Sequence, residues 1–471
     1  MRSPERSETD FRPGSSSPLE FKESPMLDRR DVLRVGALSV FGGAGALASR
    51  LTQASAADNE QHEPRRRGAA KSCIFMLLQG GPSHIDLWDP KPDAPAEVRG
   101  EFKPIDTAVG GMRLGEPMQA CAKVAGDLVL VRSMTHGFNN HIAGTYITLT
   151  GSTDQPNQDR EADAKDFPGP GAVLNYLEPP QAGLPTSISL PTWLSIPGPS
   201  NRMPGQYGGF LGGLYDPLLI SGEPQKPDFR PPAMSLPESM SPERVGSRYE
   251  LLKNLDALRR DMDAAPVRSR GLFSRTAYEL LTDPRVREAL DLTRESDKTR
   301  DRYGRTKMGQ SLLLARRLVE IGVRFVGYNE FNQAWDHHSN IANTLKHRVP
   351  PMEQAFAALV EDLRDRGLLD TTLVVNTGEF GRTPVINKDR GRDHWPDAYT
   401  TVLAGGGTRG GTIFGASDAK GAYVKDSPVS PADFLATVWH LLGIDPHTEM
   451  HDRQNRPVRL SPGKVVEGIL A

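Results

Sequence analysis

The chain has 471 residues, with 57 Lys and Arg against 59 Asp and Glu, and this near-neutral balance gives no electrostatic footprint for nucleic acid or an acidic membrane surface. Hydrophobic residues make up only 37%, beside 46 glycines and 39 prolines, so long loops decorate a modest core. Two cysteines, Cys73 and Cys121, exclude a disulfide framework, and the length suits one large α/β domain with insertions or a few average ones.

Residues 1–57 read as a disordered N-terminus plus an export signal. Arg29-Arg30 is a twin-arginine pattern before the apolar, small-residue run Val35 to Ala48, and Ala54-Ser55-Ala56 offers a cleavage site. The run is too short for an ordinary membrane span, so no stable transmembrane anchor should remain after cleavage and the mature protein should work in the periplasm or otherwise outside the cytoplasm. Met26 is a second candidate start.

Residues 58–471 read as a single domain. Cys73 to Leu78 is a continuous apolar run ending in Gln79-Gly80-Gly81-Pro82, the pattern of a buried parallel strand followed by a turn. Leu128 to Arg132, Arg324 to Tyr328, Thr372 to Asn376 and Tyr399 to Leu403 are the other strand candidates. Helical patterns occupy Pro117 to Ala125, His141 to Thr150, Lys307 to Ile321, Asn340 to Arg366 and Pro431 to Leu442, the last opened by Ser430 as N-cap and Pro431 at the first turn. Alternating strands and helices predict an α/β three-layer sandwich with a mostly parallel, doubly wound sheet. An insertion at about 197–300 begins as a Pro/Gly/Ser-rich excursion and turns helical near 247. It is either a cap over the functional edge or a plain insertion.

In open α/β sheets, ligands bind where the loops leave the carboxyl ends of the strands. Six of the eleven histidines fall in four such loops, each beside carboxylates: His84 near Asp86 and Asp89, His136 and His141, His337 and His338 near Glu330 and Asp336, and His394 after Glu379. Imidazole with carboxylate is the ligand set of Zn²⁺, Mn²⁺ or iron, or of Ca²⁺ or Mg²⁺ where oxygen dominates. Asp336-x-His338 can present two ligands to one ion, with His394 as a third. Arg382, between Gly381 and Thr383-Pro384, is a candidate grip for phosphate or sulfate, whereas Arg392 reads as a partner for Asp389 or Asp393. Trp335 and Trp395 either wall a pocket or pack structurally.

The stretches LLQGGPSHIDLWDPKP (77–92), HGFNNHIAGTYITLTG (136–151), WDHHSN (335–340) and GEFGRTPVINKDRGRDHW (378–395) resemble those of a bacterial family of uncharacterised, twin-arginine-exported, sulfatase-like proteins. That family, common in planctomycetes, is grouped with the alkaline phosphatase–sulfatase superfamily. The resemblance implies an alkaline phosphatase-like sandwich, one or two divalent metal ions and attack on a phosphate or sulfate ester. It sets Asp336, His338 and His394 where one metal's ligands lie, Glu379 at the other metal, and His141 at the nucleophile's position, beside Asn140 as a substrate contact. Three departures concern one half of that site. Gln79 replaces a metal-binding Asp, His141 replaces a hydroxyl or thiol nucleophile, and Phe380 replaces a His ligand, with His84 and Asp86 available to rebuild a second metal site. A cysteine-based sulfatase signature is absent.

The expectation is therefore an exported metal-dependent hydrolase-like protein acting on a small-molecule or polysaccharide ester, with no nucleic acid partner. His141 would serve as nucleophile, general base or ligand, and Arg382 would stabilise the transferring group. The alternative is a catalytically degenerate metal- or glycan-binding protein of the cell envelope.

Overall fold

The computed structural model describes residues 68–180, 184–195, 202–231, 244, 247, 283–330 and 332–471. The twin-arginine pattern and much of the expected insertion lie outside the described residues. Eight strands form the main sheet: β1 (Ser72–Leu77), β2 (Leu128–Met134), β3 (Ser187–Leu190), β4 (Leu218–Leu219), β5 (Phe325–Asn329), β6 (Thr372–Thr377), β7 (Tyr399–Ala404) and β8 (Thr412–Phe414). Their spatial order is β8-β2-β7-β6-β1-β5-β3-β4. Strand β1 lies at the centre, pairing in parallel with β5 and with β6, where Ser72 stands opposite Thr372 and Leu77 opposite Thr377. One strand runs the other way: β7 is antiparallel to both β2 and β6. The sheet is mixed and mostly parallel, as the alternating pattern predicts.

The central strands are apolar throughout because both faces are covered, and the pleat sends alternate side chains into two cores. Ile74 and Met76 pack with Leu312 and Leu318 of α3 (Lys307–Glu320) and with Phe356 and Leu359 of α4 (Ile341–Asp365). Cys73, Phe75 and Leu77 point the other way, towards α1 (His141–Thr150), α2 (Pro170–Leu177) and α5 (Pro431–Leu441) through Ile142, Val173, Leu174, Phe434 and Val438. Three layers result. Cys73 and Cys121 are buried, unpaired and in separate cores. Among the described residues, no helix is long and apolar enough to cross a membrane.

The predicted strands and long helices fall within a few residues of the observed ones. The strands β3, β4 and β8, only two to four residues long, are too short for hydrophobic alternation to declare them, and α2 starts inside a Gly/Pro-rich stretch. Helix α5 begins with a reciprocal cap in which Ser430 Oγ accepts from the Asp433 N–H at 3.1 Å and Asp433 Oδ2 accepts from the Ser430 N–H at 3.2 Å. Ser430→Ala should lower unfolding stability in urea by about 1 kcal/mol; an unchanged midpoint would show that the cap contributes nothing.

Candidate metal centre

The loops leaving β1, β2, β5 and β6 converge on one sheet edge and bring three imidazoles around Asp336. His338 Nε2 and His394 Nε2 are 3.0 Å apart, and they lie 3.0 and 3.1 Å from Asp336 Oδ1. His141 Nε2, at the first turn of α1, is 3.3 Å from Asp336 Oδ2 but is not aligned for a hydrogen bond and is otherwise without a partner. Ligand atoms of His141, Asp336 and His394 all lie within 4.8 Å of one another, with His338 on the solvent side.

The far side of each ring explains why the Nε2 atoms face inward. His141 Nδ1 meets Glu379 Oε1 at 2.6 Å, His338 Nδ1 meets Asp393 Oδ1 at 2.7 Å, and His394 Nδ1 meets the Asn139 carbonyl at 2.7 Å. A carboxylate or carbonyl can only accept, so Nδ1 carries the proton and Nε2 of a neutral ring presents a lone pair. The lone pairs of His141 and His394 and the Asp336 carboxylate thus lie within reach of one cation, and the His338 Nε2 stands beside His394 and Asp336. A triangle of two such nitrogens and one oxygen cannot be satisfied along every edge by the two rings' hydrogens, whereas a shared cation satisfies it. Ligands bonded to a tetrahedral zinc at about 2.0–2.1 Å stand about 3.3 Å apart, close to the 3.0 to 3.3 Å found here. The donor set fits a divalent cation.

Charge in the metal-free cluster is arranged accordingly. Burial opposes a charge on His141, yet the adjacent Asp336 and Glu379 carboxylates outweigh it and push its pKa up to about 9. Burial likewise opposes charge on Asp336, but His141, His394 and Arg382 hold its carboxyl well below the usual carboxylate range. Solvent reaches the cluster from one side, since the His338 side chain is 45% exposed and that of His141 only 9%.

Backbone geometry at the end of β1 makes room for this. Gly80 has φ +116°, and a Cβ there would lie 2.5 Å from the Asp336 nitrogen, so only glycine lets the two loops touch. The N–H groups of Gly80 and Gly81 donate to the Glu379 carboxylate at 2.8 and 3.2 Å, fixing the group that in turn fixes His141.

The family model described as "Protein of unknown function (DUF1501)" matches residues 70–470. The chain belongs to that family. No curated protein sequence matches it. Among solved structures it is similar to PsFucS1 sulfatase from Pseudoalteromonas sp., at 12% identity and TM-score 0.37, covering 84% of this chain and 71% of that one. It is also similar to the lipoteichoic acid synthase LtaP from Listeria monocytogenes, at 10% identity and TM-score 0.36, covering 82% and 75%. A third is the C-terminal periplasmic domain of EcEptC from Escherichia coli in complex with Zn, at 9% identity and TM-score 0.32, covering 85% and 94%.

Several residues stand elsewhere than the sequence suggests. Arg382 offers nothing to an anion: it is fully buried, with Nε bonded to the Gly81 carbonyl at 2.8 Å, Nη1 to the Arg392 carbonyl at 3.0 Å and Nη2 to Asp336 at 2.6 Å and to the Gly80 carbonyl. Arg392 pairs with Asp86, at 2.8 Å, and not with Asp389 or Asp393. Asp86, held also by the Ser83 hydroxyl at 2.6 Å, is therefore no ligand. His84 is buried against the Gly421 carbonyl at 2.8 Å, and among the described residues no second group of metal ligands forms around it. Glu379 lies behind His141 and does not face the cluster. Asn140 caps α1, its Oδ1 accepting from the Ile142 and Ala143 N–H groups at 2.9 and 3.2 Å, so its amide is not free for a substrate.

Phe380 packs on the His141 and His394 rings at 5.1 and 4.7 Å, where it walls the cluster. Trp335 is fully buried, whereas Trp395 packs on Tyr423 at 5.6 Å. The sequence reading missed two supporting groups, Asp393 and the Asn139 carbonyl. Asp393 was detectable as the carboxylate next to His394, but a backbone carbonyl has no sequence signal.

His141 generates a pH dependence in the metal-free protein. Its folded pKa is raised above the ordinary value of about 6.5, so the stability it contributes is complete below that pH and is lost as pH rises through about 9. Glu379→Gln should lower the His141 pKa in a histidine NMR titration of the metal-free protein. A wild-type His141 titrating below 7 would contradict the carboxylate clamp.

Proposed function

We propose that this chain is an exported, metal-dependent hydrolase of phosphate or sulfate esters with a single divalent cation, zinc by ligand type, held by His141, Asp336, His338 and His394. The observation that carries the reading is the convergence of three imidazole Nε2 atoms on one carboxylate, with every Nδ1 anchored by an acceptor. Export rests on the Arg29-Arg30 pattern and the Ala54-Ser55-Ala56 site, with residues 58–471 as the mature domain.

A bound divalent cation supplies a Lewis acid that polarises an ester oxygen and lowers the pKa of water. The chain's own groups do the rest. Glu379 takes His141 Nδ1 and leaves Nε2 facing Asp336 without a hydrogen-bond partner; with that nitrogen as a ligand, water would be the attacking group. Arg382 neutralises Asp336 from behind and keeps it ionised. His338, the most exposed member, stands on the side from which ester and water arrive. Phe380 covers the opposite side of the His394 ring and excludes water there.

A second reading, a degenerate metal- or glycan-binding protein, is favoured by one observation: the cluster contains no hydroxyl or thiol, and its guanidinium is committed. Elemental analysis of the full chain purified without chelators should give about one equivalent of a transition metal. Asp336→Asn and His394→Ala should lose it. Full metal in either folded variant would remove that residue from the centre, and a metal-free wild type would sink the proposal. With metal present, turnover of p-nitrophenyl phosphate or sulfate supports the hydrolase, and ligand binding without turnover across such esters supports the second reading.

A further inference from the structure

His338 is the least protected imidazole of the cluster, and the loop between β6 and β7 brackets it. Its backbone is gripped first. The Asn340 N–H donates to the Asp389 carbonyl at 3.0 Å, the Ile341 N–H donates to the Arg390 carbonyl at 2.9 Å, and Asn387 Nδ2 donates to the His338 carbonyl at 3.0 Å. Gly391 presses so closely that a Cβ would lie 2.0 Å from the His338 carbonyl carbon. These contacts fix the main chain but leave the ring free to turn about its own axis. A half turn would exchange the nitrogen and carbon edges and remove Nε2 from the centre.

Nε2 meets Asp336 and His394 on the inner edge, and one contact holds the Nδ1 edge. Asp393 Oδ1 takes His338 Nδ1 at 2.7 Å, and the carboxylate is itself held: the same oxygen accepts from Asn387 Nδ2 at 3.2 Å, and the Asp393 N–H donates to Thr383 Oγ1 at 3.0 Å. Asn387 Oδ1 closes the bracket by accepting from the Asp389 and Gly391 N–H groups at 3.0 and 2.9 Å. We propose that Asp393 is a positioning residue, which holds His338 as the Nδ1–H tautomer with Nε2 facing Asp336 and His394. The metal-affinity half of this inference rests on the cation centre proposed above; the tautomer half does not.

Two readouts on the full chain separate them. In metal-free protein, ¹⁵N chemical shifts should show His338 protonated at Nδ1 in the wild type and a mixture of tautomers in Asp393→Ala. In zinc competition against a chromophoric chelator, Asp393→Ala should weaken affinity about 10- to 100-fold while still binding one equivalent at saturation. Asp393→Asn, which keeps an uncharged acceptor, should lose less. The control is Arg390→Ala, in the same loop but with its side chain 73% exposed and paired with Glu101, which should leave zinc affinity unchanged. An unaltered tautomer and unaltered zinc affinity in Asp393→Ala would overturn the proposal, as would a lowered Tm without either change. An equal effect in Arg390→Ala would show a general loop disturbance and overturn it too. A wild type that takes no zinc yet shows the Asp393-dependent tautomer would sink the cation centre and leave the positioning intact.

Discussion

A buried guanidinium cannot be left unpaired, and that constraint organises this sheet edge. Arg382 is fully buried, and its N–H groups reach carbonyls from the β1 turn, a carbonyl of its own loop and the Asp336 carboxylate from the β5 loop. One side chain therefore ties its own loop to a segment 46 residues before it and to another 301 residues before it. Asp336 gains a fixed position and a permanent counter-charge. Removing one partner of such a pair leaves the other charge uncompensated, at a cost of about 3–5 kcal/mol, so the arrangement is self-enforcing. The three imidazoles are placed around a carboxylate that has no freedom to move.

Strand direction supplies the second constraint. A loop joining parallel neighbours must carry the chain back to the opposite edge of the sheet, whereas a loop joining antiparallel neighbours starts and ends on the same edge. Because β7 is antiparallel to β6, the segment from Gly378 to Asp397 leaves and returns on the functional side. Glu379 is delivered on departure and His394 on return, and the short pairing of Gly381–Arg382 with His394–Trp395 draws the two ends of the loop together. Had β7 been parallel, that segment would have crossed a face of the sheet, and His394 would have lain far from Asp336.

Much of this was legible. The apolar run of β1 announced a central strand because burial on both faces removes alternation. Asp336-x-His338 announced two candidate ligands for one ion, and the structure brings the two side chains to 3.0 Å of each other. Asn140 before α1 carried the ordinary signature of an N-cap, which should have outweighed a substrate role. Other features were hidden for physical reasons. Sequence pattern reports that a segment is a strand but not which way it runs. Arg382 and Arg392 sit in a stretch with the composition of a solvated loop, and nothing local shows that both are fully buried. Their partners, Asp336 and Asp86, are long-range.

Charge adds a further condition at this cluster. Asp336, Glu379 and Asp393 touch the cluster, and Arg382 is the guanidinium bonded to it, so with three neutral imidazoles the set holds an excess of two negative charges. A divalent cation neutralises that excess, while a monovalent one would leave a charge behind. In the metal-free protein a proton is the available substitute, which is why His141, flanked by two carboxylates, holds one up to about pH 9. A cation held there would compete with that proton for the same lone pair. Under the proposed cation centre, binding at neutral pH would release that proton, and affinity would rise with pH until His141 is deprotonated.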